Sequence, residues 1–107
     1  MRNKAESYLG FARKSGNLVY GAGTCEISMA KRKAYLLIIA SDAAENTKKK
    51  MISKAEGCGV AYRIYSTSDE LSRMTGAPGR SVFAVTDKGF ADMITKEIDL
   101  QIKEVLG

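Results

Sequence analysis

Two hydrophobic patterns alternate along the chain. In the first, apolar residues recur three or four positions apart, as on one face of a helix. This pattern opens and closes the chain, at Ala5, Tyr8, Leu9 and Ala12 and at Phe90, Ile94, Ile98, Ile102 and Val105. In the second, apolar residues follow one another without polar alternates, which is typical of strands that are buried on both faces. The longest such run covers residues 34–40 and predicts a central strand.

Residues that favour turns and helix caps divide these patterns into nine elements in the order αβαβαβαβα. The predicted strands are Leu18–Tyr20, Ala34–Ala40, Val60–Tyr65 and Ser81–Val85. Thr24 is predicted to cap the second helix, and Thr86 with Asp87 to cap the last. Asp42 and Glu45 have the spacing of a capping box and predict the start of the third helix.

Strands that alternate with helices in a chain of 107 residues predict one α/β domain over residues 1–107. We expect a three-layer α/β/α sandwich in which a four-stranded mixed sheet lies between two layers of helices. No apolar run approaches the roughly 18 residues that a membrane span requires. The N-terminus also lacks the charged tip and apolar stretch of a signal peptide. The expectation is a cytoplasmic protein without a membrane partner.

The reactive side chains argue against a metal site and against catalysis. The chain has no histidine, and Cys25 and Cys58 stand apart without a CxxC motif, so neither a zinc site nor a disulfide framework is indicated. Both cysteines are interpreted as small buried residues. Gly21 and Gly23 follow a strand as in a dinucleotide fingerprint, but the third glycine of that motif would fall at Glu26. We therefore expect no enzyme activity, no metal and no cofactor.

Positive charge is concentrated in the first half of the chain. Residues 1–54 hold eleven Lys and Arg against four Asp and Glu, whereas residues 55–107 hold six against eight. The excess lies in three clusters, Arg13-Lys14, Lys31-Arg32-Lys33 and Lys48-Lys49-Lys50. Solvated helix ends would explain any one cluster, and the middle one also suits the negative end of the second helix dipole. Three clusters without an acidic counterpart favour a polyanionic partner.

Three segments of the sequence are informative when they are taken together, namely Ala12–Gly21, Ala40–Lys50 and Phe83–Ala91. In this order and spacing they resemble the YlxQ-like members of the kink-turn-binding ribosomal protein superfamily that is named after archaeal ribosomal protein L7Ae. The resemblance extends from about Tyr8 to Ile94. It implies a three-layer α/β/α fold, a ribosomal-protein-like RNA-binding domain and a link with translation. The implied partner is structured RNA, with ribosomal RNA as one candidate, bound by a chain that is a monomer when free.

The resemblance also implies where RNA binds. The family builds its RNA surface from the loop before the second helix, the start of the third helix and the loop before the last strand, which correspond here to residues 21–27, 43–48 and 76–82. The expected RNA-binding residues are Lys14, Gly21, Gly23, Thr24, Ile27, Lys48, Arg80 and Ser81. Among these, Lys14 and Lys48 are the expected contacts to phosphate.

Three positions depart from the family pattern where bases would be read. Kink-turn binders of this family carry an Asn-Glu pair and a Lys three residues after the Glu, and the matching positions here are Gly23, Thr24 and Ile27. A bidentate base contact discriminates by about 1–3 kcal/mol, so losing two weakens selectivity by roughly two to four decades. Thr24 still offers a hydroxyl, although its simpler role is that of a helix cap. We therefore expect RNA binding with altered kink-turn selectivity.

The loop before the last strand departs as well, because residues 77–81 replace the apolar residues that family members pack against an extruded nucleotide. Arg80 is suited to stack on a base or to bind phosphate, or else it is a solvated loop residue. Tyr20 and Tyr35 lie inside strand patterns and are interpreted as sheet packing. Two alternatives stay open: a protein-interaction module that has lost specific RNA recognition, and, with less support, a mononucleotide-binding or enzymatic domain.

Overall fold

The computed structural model describes residues 4–106, with side chains described as far as residue 104. The helices are α1 (Lys4–Lys14), α2 (Ala22–Ala30), α3 (Glu45–Cys58), α4 (Ser68–Thr75) and α5 (Lys88–Leu106). The strands are β1 (Leu18–Tyr20), β2 (Leu36–Ile39), β3 (Ala61–Ile64) and β4 (Val82–Val85). The order of elements is the one that the hydrophobic pattern predicts.

The four strands form one mixed sheet in the order β1-β4-β2-β3. β4 lies antiparallel to both β1 and β2, whereas β3 lies parallel to β2. The last strand of the chain therefore sits inside the sheet. These strand directions confirm the predicted mixed sheet. Every residue of β2 and of β4 is buried, which confirms that the predicted central strand is covered on both faces.

Helices cover both faces of the sheet. On one face, α1, α4 and α5 enclose a core whose larger buried residues include Leu9, Ile38, Leu71, Phe83 and Ile94. On the other face, α2 and α3 enclose a core that includes Met29, Leu37, Ile39, Met51 and Val82. Successive strand residues point to opposite faces, so β2 and β4 supply both cores. This is the predicted three-layer α/β/α arrangement.

The two ends of the sheet carry different helix termini. One end, formed by Tyr20, Ile39, Ile64 and Val82, lies where α2, α3 and α4 begin, and we call it the Gly21 end. The other end, formed by Leu18, Leu36, Ala61 and Val85, lies where α1, α2 and α3 finish and where α5 begins, and we call it the Thr86 end. Helix N-termini carry free N–H groups and partial positive charge. Three helices begin at the Gly21 end and one begins at the Thr86 end, where Asp87 caps it, so the Gly21 end is the one that favours anions.

The start of α2 differs from the prediction. The helix begins at Ala22, and Gly21 is its N-cap, with a backbone φ of 93° and ψ of 139°. Thr24 is thus the third residue of the helix rather than its cap, and its side chain is exposed. Residues with a Cβ rarely adopt the positive φ of Gly21. The turn into α2 therefore depends on the glycine and not on the threonine.

The capping box predicted for α3 is wrong as well. The helix begins at Glu45 after Ala44, and no side chain caps it. Asp42 instead accepts hydrogen bonds from the backbone N–H and the hydroxyl of Ser68, at 2.9 and 2.8 Å. These bonds hold the pKa of the Asp42 carboxyl below its usual value. They also join the loop before α3 to the start of α4.

The predicted cap of α5 is confirmed at Asp87. Asp87 Oδ2 accepts a hydrogen bond from the backbone N–H of Phe90 at 2.9 Å. The apolar stripe of the helix is buried as far as Ile98, whereas Ile102 is 42% exposed and the side chain of Val105 lies outside the described residues. The buried part of the stripe is therefore shorter than the pattern predicts.

Two further residues are more exposed than predicted. Tyr35 is 46% exposed because β2 begins only at Leu36. Cys58 is half-buried at the end of α3, whereas Cys25 is fully buried in α2, as expected. The sheet packing proposed for Tyr35 and the burial proposed for Cys58 are thus only partly correct.

Candidate nucleic-acid interface

Backbone hydrogen bonds draw three connections together at the Gly21 end. The N–H of Gly21 donates to the carbonyl of Val82 at 2.9 Å, and the N–H of Ala40 donates to the carbonyl of Ser81 at 2.8 Å. The turn before α2, the loop before β4 and the segment before α3 are therefore neighbours across the start of β4. These are the three segments in which the resemblance implies RNA contacts.

The first two turns of α2 present an open face. Gly23 and Thr24 are exposed, and Ile27 is 57% exposed. Residues three and four positions apart lie on one side of a helix, so these residues form one patch. A Cβ at Gly23 would meet no atom within 4 Å, and the Thr24 hydroxyl makes no hydrogen bond within the described part of the chain. This face is thus available to a partner.

Lys48 lies in the first turn of α3. Its side chain is only 20% exposed, and its Nζ lies 3.3 Å from Oε1 of Glu45. Its charge also helps to lower the pKa of Asp42. The ammonium is therefore held near the start of α3, but two carboxylates partly neutralise it. A phosphate that binds Lys48 would displace Glu45, whose side chain is 76% exposed and can move into solvent.

The loop before β4 presents Arg80 and Ser81 to the same end of the sheet. The N–H of Arg80 donates to Ser72 Oγ at 3.2 Å, which attaches the loop to α4. Gly79 has a positive φ of 46°, so the chain turns sharply just before Arg80. Arg80 is exposed, whereas Ser81 is half-buried and bound through its carbonyl. The arginine therefore projects from an anchored loop.

Sequence reasoning missed the involvement of Arg13 and Tyr20 in this region. The guanidinium carbons of Arg13 and Arg80 lie 5.3 and 5.8 Å from the centroid of the Tyr20 ring, which is within cation–π distance. The three residues come from α1, β1 and the loop before β4, so no spacing in the sequence indicates their contact. Tyr20 packs against the core, as interpreted, but it also holds two arginines.

Lys14 does not lie at the Gly21 end. It is the last residue of α1, and the chain passes from it to β1 at the Thr86 end, where the carbonyl of Asn17 accepts a hydrogen bond from the N–H of Thr86 at 2.8 Å. Residues 31–33 lie at that end too, just beyond the C-terminus of α2. The structure thus brings together the predicted residues other than Lys14, and it places Lys14 at the opposite end of the sheet.

Ion pairs leave the arginines of the Gly21 end without partners. Within the described residues, neither Arg13 nor Arg80 takes part in a salt bridge. Lys50, by contrast, pairs with Glu26 at 3.2 Å and joins α3 to α2. The two arginines beside Tyr20 therefore keep their positive charge for a partner.

The described side chains offer no evident catalytic or metal chemistry. Burial, aided by the charge of Glu26, raises the pKa of the Cys25 thiol to about 12, so this thiol stays protonated near neutral pH. Over residues 4–106, no group of three or more His, Cys, Asp or Glu side chains is placed to hold a metal ion. None of the helices in that range is long and apolar enough to cross a membrane.

Comparison with known sequences identifies related proteins. Residues 3–95 match the ribosomal protein L7Ae/L30e/S12e/Gadd45 family. The chain is 37% identical over 98 residues to the RNA-binding protein YlxQ of Enterococcus faecium, which covers 91% of this chain and 92% of that protein. It is 32% identical over 91 residues to the RNA-binding protein YlxQ of Bacillus subtilis strain 168, which covers 85% of this chain and 91% of that protein.

Solved structures share the fold. A protein of unknown function from Bacillus halodurans superimposes with a TM-score of 0.88 at 28% identity, over 92% of this chain and 99% of that one. The 15.5 kD RNA-binding protein of Giardia lamblia superimposes with a TM-score of 0.74 at 17% identity, over 94% of this chain and 92% of that one. The second likeness, at so low an identity, concerns the fold alone.

Proposed function

Because the chain belongs to the ribosomal protein L7Ae/L30e/S12e/Gadd45 family, we propose that it binds structured RNA through the Gly21 end of its sheet. The observation that carries this proposal is the meeting of the first turns of α2 and α3 with the loop before β4. Free N–H groups at helix starts and adjacent basic side chains suit phosphate oxygens. The names of the related YlxQ proteins support the same function. The chain is a binding protein and not an enzyme.

The proposed contacts follow from the exposure of each residue. Gly21 and Gly23 allow the RNA backbone to approach the start of α2, because neither has a side chain and a Cβ at either position would meet no atom within 4 Å. Lys48 and Arg80 supply charge, and Ser81 follows Arg80 in the loop before β4. The remaining proposed contacts are Thr24 and Ile27, on the open face of α2. Lys14 lies at the Thr86 end, so it contacts the RNA only if the RNA extends from the Gly21 end to the Thr86 end of the sheet.

The finer part of the proposal concerns the RNA itself. The bound RNA is a kink-turn or a related structured RNA, ribosomal RNA being one candidate, and a monomer binds it in the cytoplasm in connection with translation. The open face at Gly23, Thr24 and Ile27 lacks the Asn, Glu and Lys that would read guanine edges. Selectivity for kink-turns is therefore weaker than in family members that have those residues.

An electrophoretic titration tests the proposal. The protein is titrated against a kink-turn RNA and a control in which Watson–Crick pairs replace the tandem G·A pairs, at 50 and 200 mM salt. We expect both RNAs to bind with similar affinity, and about four phosphate contacts would make the affinity fall roughly a hundredfold between the two salt concentrations. Failure to bind either RNA at 50 mM salt would exclude this function.

A variant that carries the Asn, Glu and Lys of the kink-turn binders provides the matched control. The triple variant Gly23→Asn, Thr24→Glu, Ile27→Lys places the family residues on the open face of α2, where there is room for them. We expect it to prefer the kink-turn over the control RNA by roughly two to four decades more than the wild type does. An unchanged preference would mean that this face does not contact bases.

One observation favours a second function, that of a protein-interaction module. Ile27 is 57% exposed at a position where kink-turn binders of the family have a lysine. An exposed isoleucine at the centre of a contact face suits an apolar partner surface better than it suits RNA. Under this alternative the titration shows no RNA binding by the wild type at either salt concentration.

A further inference from the structure

We propose that Arg13, Tyr20 and Arg80 form a subsite that binds one phosphate of the RNA between two guanidinium groups. The proposal rests on RNA binding at the Gly21 end. It goes beyond that function because it assigns a ligand to a cluster that includes Arg13 and Tyr20, neither of which is among the expected RNA-binding residues. We call these three residues the Tyr20 cluster.

The first argument is charge. The guanidinium carbons of Arg13 and Arg80 lie 5.3 and 5.8 Å from the same ring centroid, so their separation is at most the sum of these distances. Neither forms a salt bridge within the described residues. The ring attracts both cations through its negative face but carries no net charge to neutralise them. Two unpaired guanidinium groups within this limit make the surroundings of the ring positive, which favours an anion that reaches both of them.

The second argument is the state of Arg13. Its Nε is buried and has no hydrogen-bond partner among the described residues, although buried N–H donors are nearly always paired. Leaving such a donor unpaired is unfavourable, so the ring contact and packing must hold the guanidinium in this position. The cluster is therefore arranged before a ligand arrives, which reduces the entropy that binding would otherwise lose. The terminal nitrogens of Arg13 and Arg80 are the groups left to bind the ligand.

The third argument is position. Tyr20 directly precedes Gly21, and Arg80 directly precedes Ser81, whose carbonyl is bound to the segment before α3. The Tyr20 ring packs on the face of the sheet that α1, α4 and α5 cover, but Tyr20 and Arg80 stand at the same end of the sheet as the start of α2. An RNA that spans this end can therefore contact both the start of α2 and the Tyr20 cluster. Guanidinium groups bind phosphate through paired hydrogen bonds, whereas an ammonium acts as a point charge. A phosphodiester of the same RNA is thus the ligand whose chemistry and location both fit.

Substitutions at Tyr20 distinguish the effect of its aromatic ring on RNA binding from the effect of net charge. Tyr20→Leu removes the ring without changing the net charge, and Tyr20→Phe keeps the ring and removes only the hydroxyl. We expect Tyr20→Leu to weaken binding to the kink-turn RNA about tenfold at 100 mM salt and to reduce the salt slope by about one phosphate contact. Tyr20→Phe should bind as the wild type does. Thermal melting by circular dichroism verifies that each variant is folded.

Charge-matched substitutions keep the test valid if Tyr20→Leu does not fold. Arg80→Ala, on an exposed loop, should produce the same loss as Tyr20→Leu. Arg73→Ala removes the same charge from α4 but breaks only the surface pair with Asp69, so it should lower the affinity less than twofold. Equal losses from Arg73→Ala and Arg80→Ala would overturn the proposal, because the effect would then be one of net charge alone.

Chemical neutralisation of the RNA locates the phosphate. A series of kink-turn RNAs, each with one neutral methylphosphonate linkage, is titrated with the wild type and with Arg80→Ala. At one linkage, neutralisation should weaken the wild type about tenfold and leave Arg80→Ala unaffected. If the wild type binds RNA but no linkage shows this coupling, the Tyr20 cluster does not bind phosphate. If the wild type binds none of the RNAs, RNA binding itself fails.

A titration with inorganic pyrophosphate tests the cluster independently of RNA. The resonance of the buried Arg13 Nε–H group is followed by nuclear magnetic resonance in the wild type and in Tyr20→Leu. We expect a saturable shift in the wild type that is absent from the ring variant. A resonance that does not move, or that moves equally in both proteins, would overturn the proposal even where RNA binding stands.

Discussion

At the scale of single residues, Gly21 holds the backbone of the candidate site in a shape that other residues adopt only with strain. Its φ of 93° and ψ of 139° lie where a Cβ would clash with the local backbone. The N–H of Gly21 also donates to the carbonyl of Val82 and so connects the start of α2 to the start of β4. The conformation of one glycine therefore sets both the start of α2 and its distance from β4, at the end of the sheet where we propose that RNA binds.

Replacing this glycine should destabilise the fold. We expect Gly21→Ala to lower the free energy of unfolding by about 1–3 kcal/mol, measured by urea denaturation, because alanine is strained at this φ and ψ. Gly57→Ala is the matched control, since Gly57 lies inside α3 and its added Cβ would meet no atom within 4 Å. That variant should be more stable than the wild type by about 0.5–1 kcal/mol. Equal stability of Gly21→Ala and wild type would contradict the described start of α2.

Residue types show where prediction from the sequence succeeds and where it cannot. The resemblance indicated Thr24 as a contact, but its assignment as a cap was wrong because a glycine with positive φ takes that place. Arg13 and Tyr20 were not assigned to the site at all. Their contact with Arg80 joins three elements, and only the order of the strands brings those elements together.

At the scale of elements, a loop-to-helix contact replaces a local helix cap. Asp42 follows β2 and accepts two hydrogen bonds from Ser68, which opens α4. The segment before α3 thus depends on α4 for its position. Hydrophobic periodicity predicted both helices because burial of one face is a local property of the sequence. Periodicity could not predict the hydrogen bonds between Asp42 and Ser68, because the donors near a carboxylate depend on the tertiary fold and not on the neighbouring sequence.

The Asp42 contact should make stability depend on pH in a defined direction. The pKa of Asp42 is lowered in the folded state, mainly by the hydrogen bond from the Ser68 backbone, so its stabilisation is present above the unfolded-state pKa. It is lost as the pH falls through the folded-state pKa. We therefore expect Asp42→Asn to lower the melting temperature at pH 7, and the difference from the wild type to shrink below about pH 4.

A double variant checks that the effect belongs to this contact. Ser68→Ala removes the hydroxyl donor but keeps the backbone N–H, so the two substitutions remove overlapping bonds. The loss of melting temperature in the double variant should be smaller than the sum of the single losses. A difference between Asp42→Asn and wild type that stays constant from pH 7 to pH 2 would contradict the assignment.

At the scale of the whole molecule, positive charge is divided between the two ends of the sheet. Lys48 and Arg80 lie at the Gly21 end and the guanidinium of Arg13 reaches Tyr20 there, whereas Lys14 and residues 31–33 lie at the Thr86 end. The charge excess of the first half was evident in the sequence, but its division was not. Arg13 and Lys14 are neighbours in the chain, yet one contacts Tyr20 and the other ends α1 at the opposite end.

This division predicts different effects for two lysine substitutions. Lys48→Ala should weaken binding to the kink-turn RNA by roughly tenfold at 100 mM salt and flatten the salt slope by about one contact, because its ammonium lies at the start of α3. Lys14→Ala removes the same charge at the Thr86 end and should change the affinity less than twofold. Salt-dependent titrations measure both. Equal losses would show that the RNA extends to both ends.

The position of β4 has a consequence for synthesis of the protein. The strand lies between β1 and β2, although the ribosome makes it only after α1 to α4. Until β4 emerges, β1 has no neighbour in the sheet, and the turn at Gly21 has no carbonyl from Val82 to bind. The nascent chain can pair only β2 with β3, whose connection through α3 is local. A chain released before β4 therefore lacks the assembled surface that we propose for RNA, so we expect binding to begin only after β4 has been made.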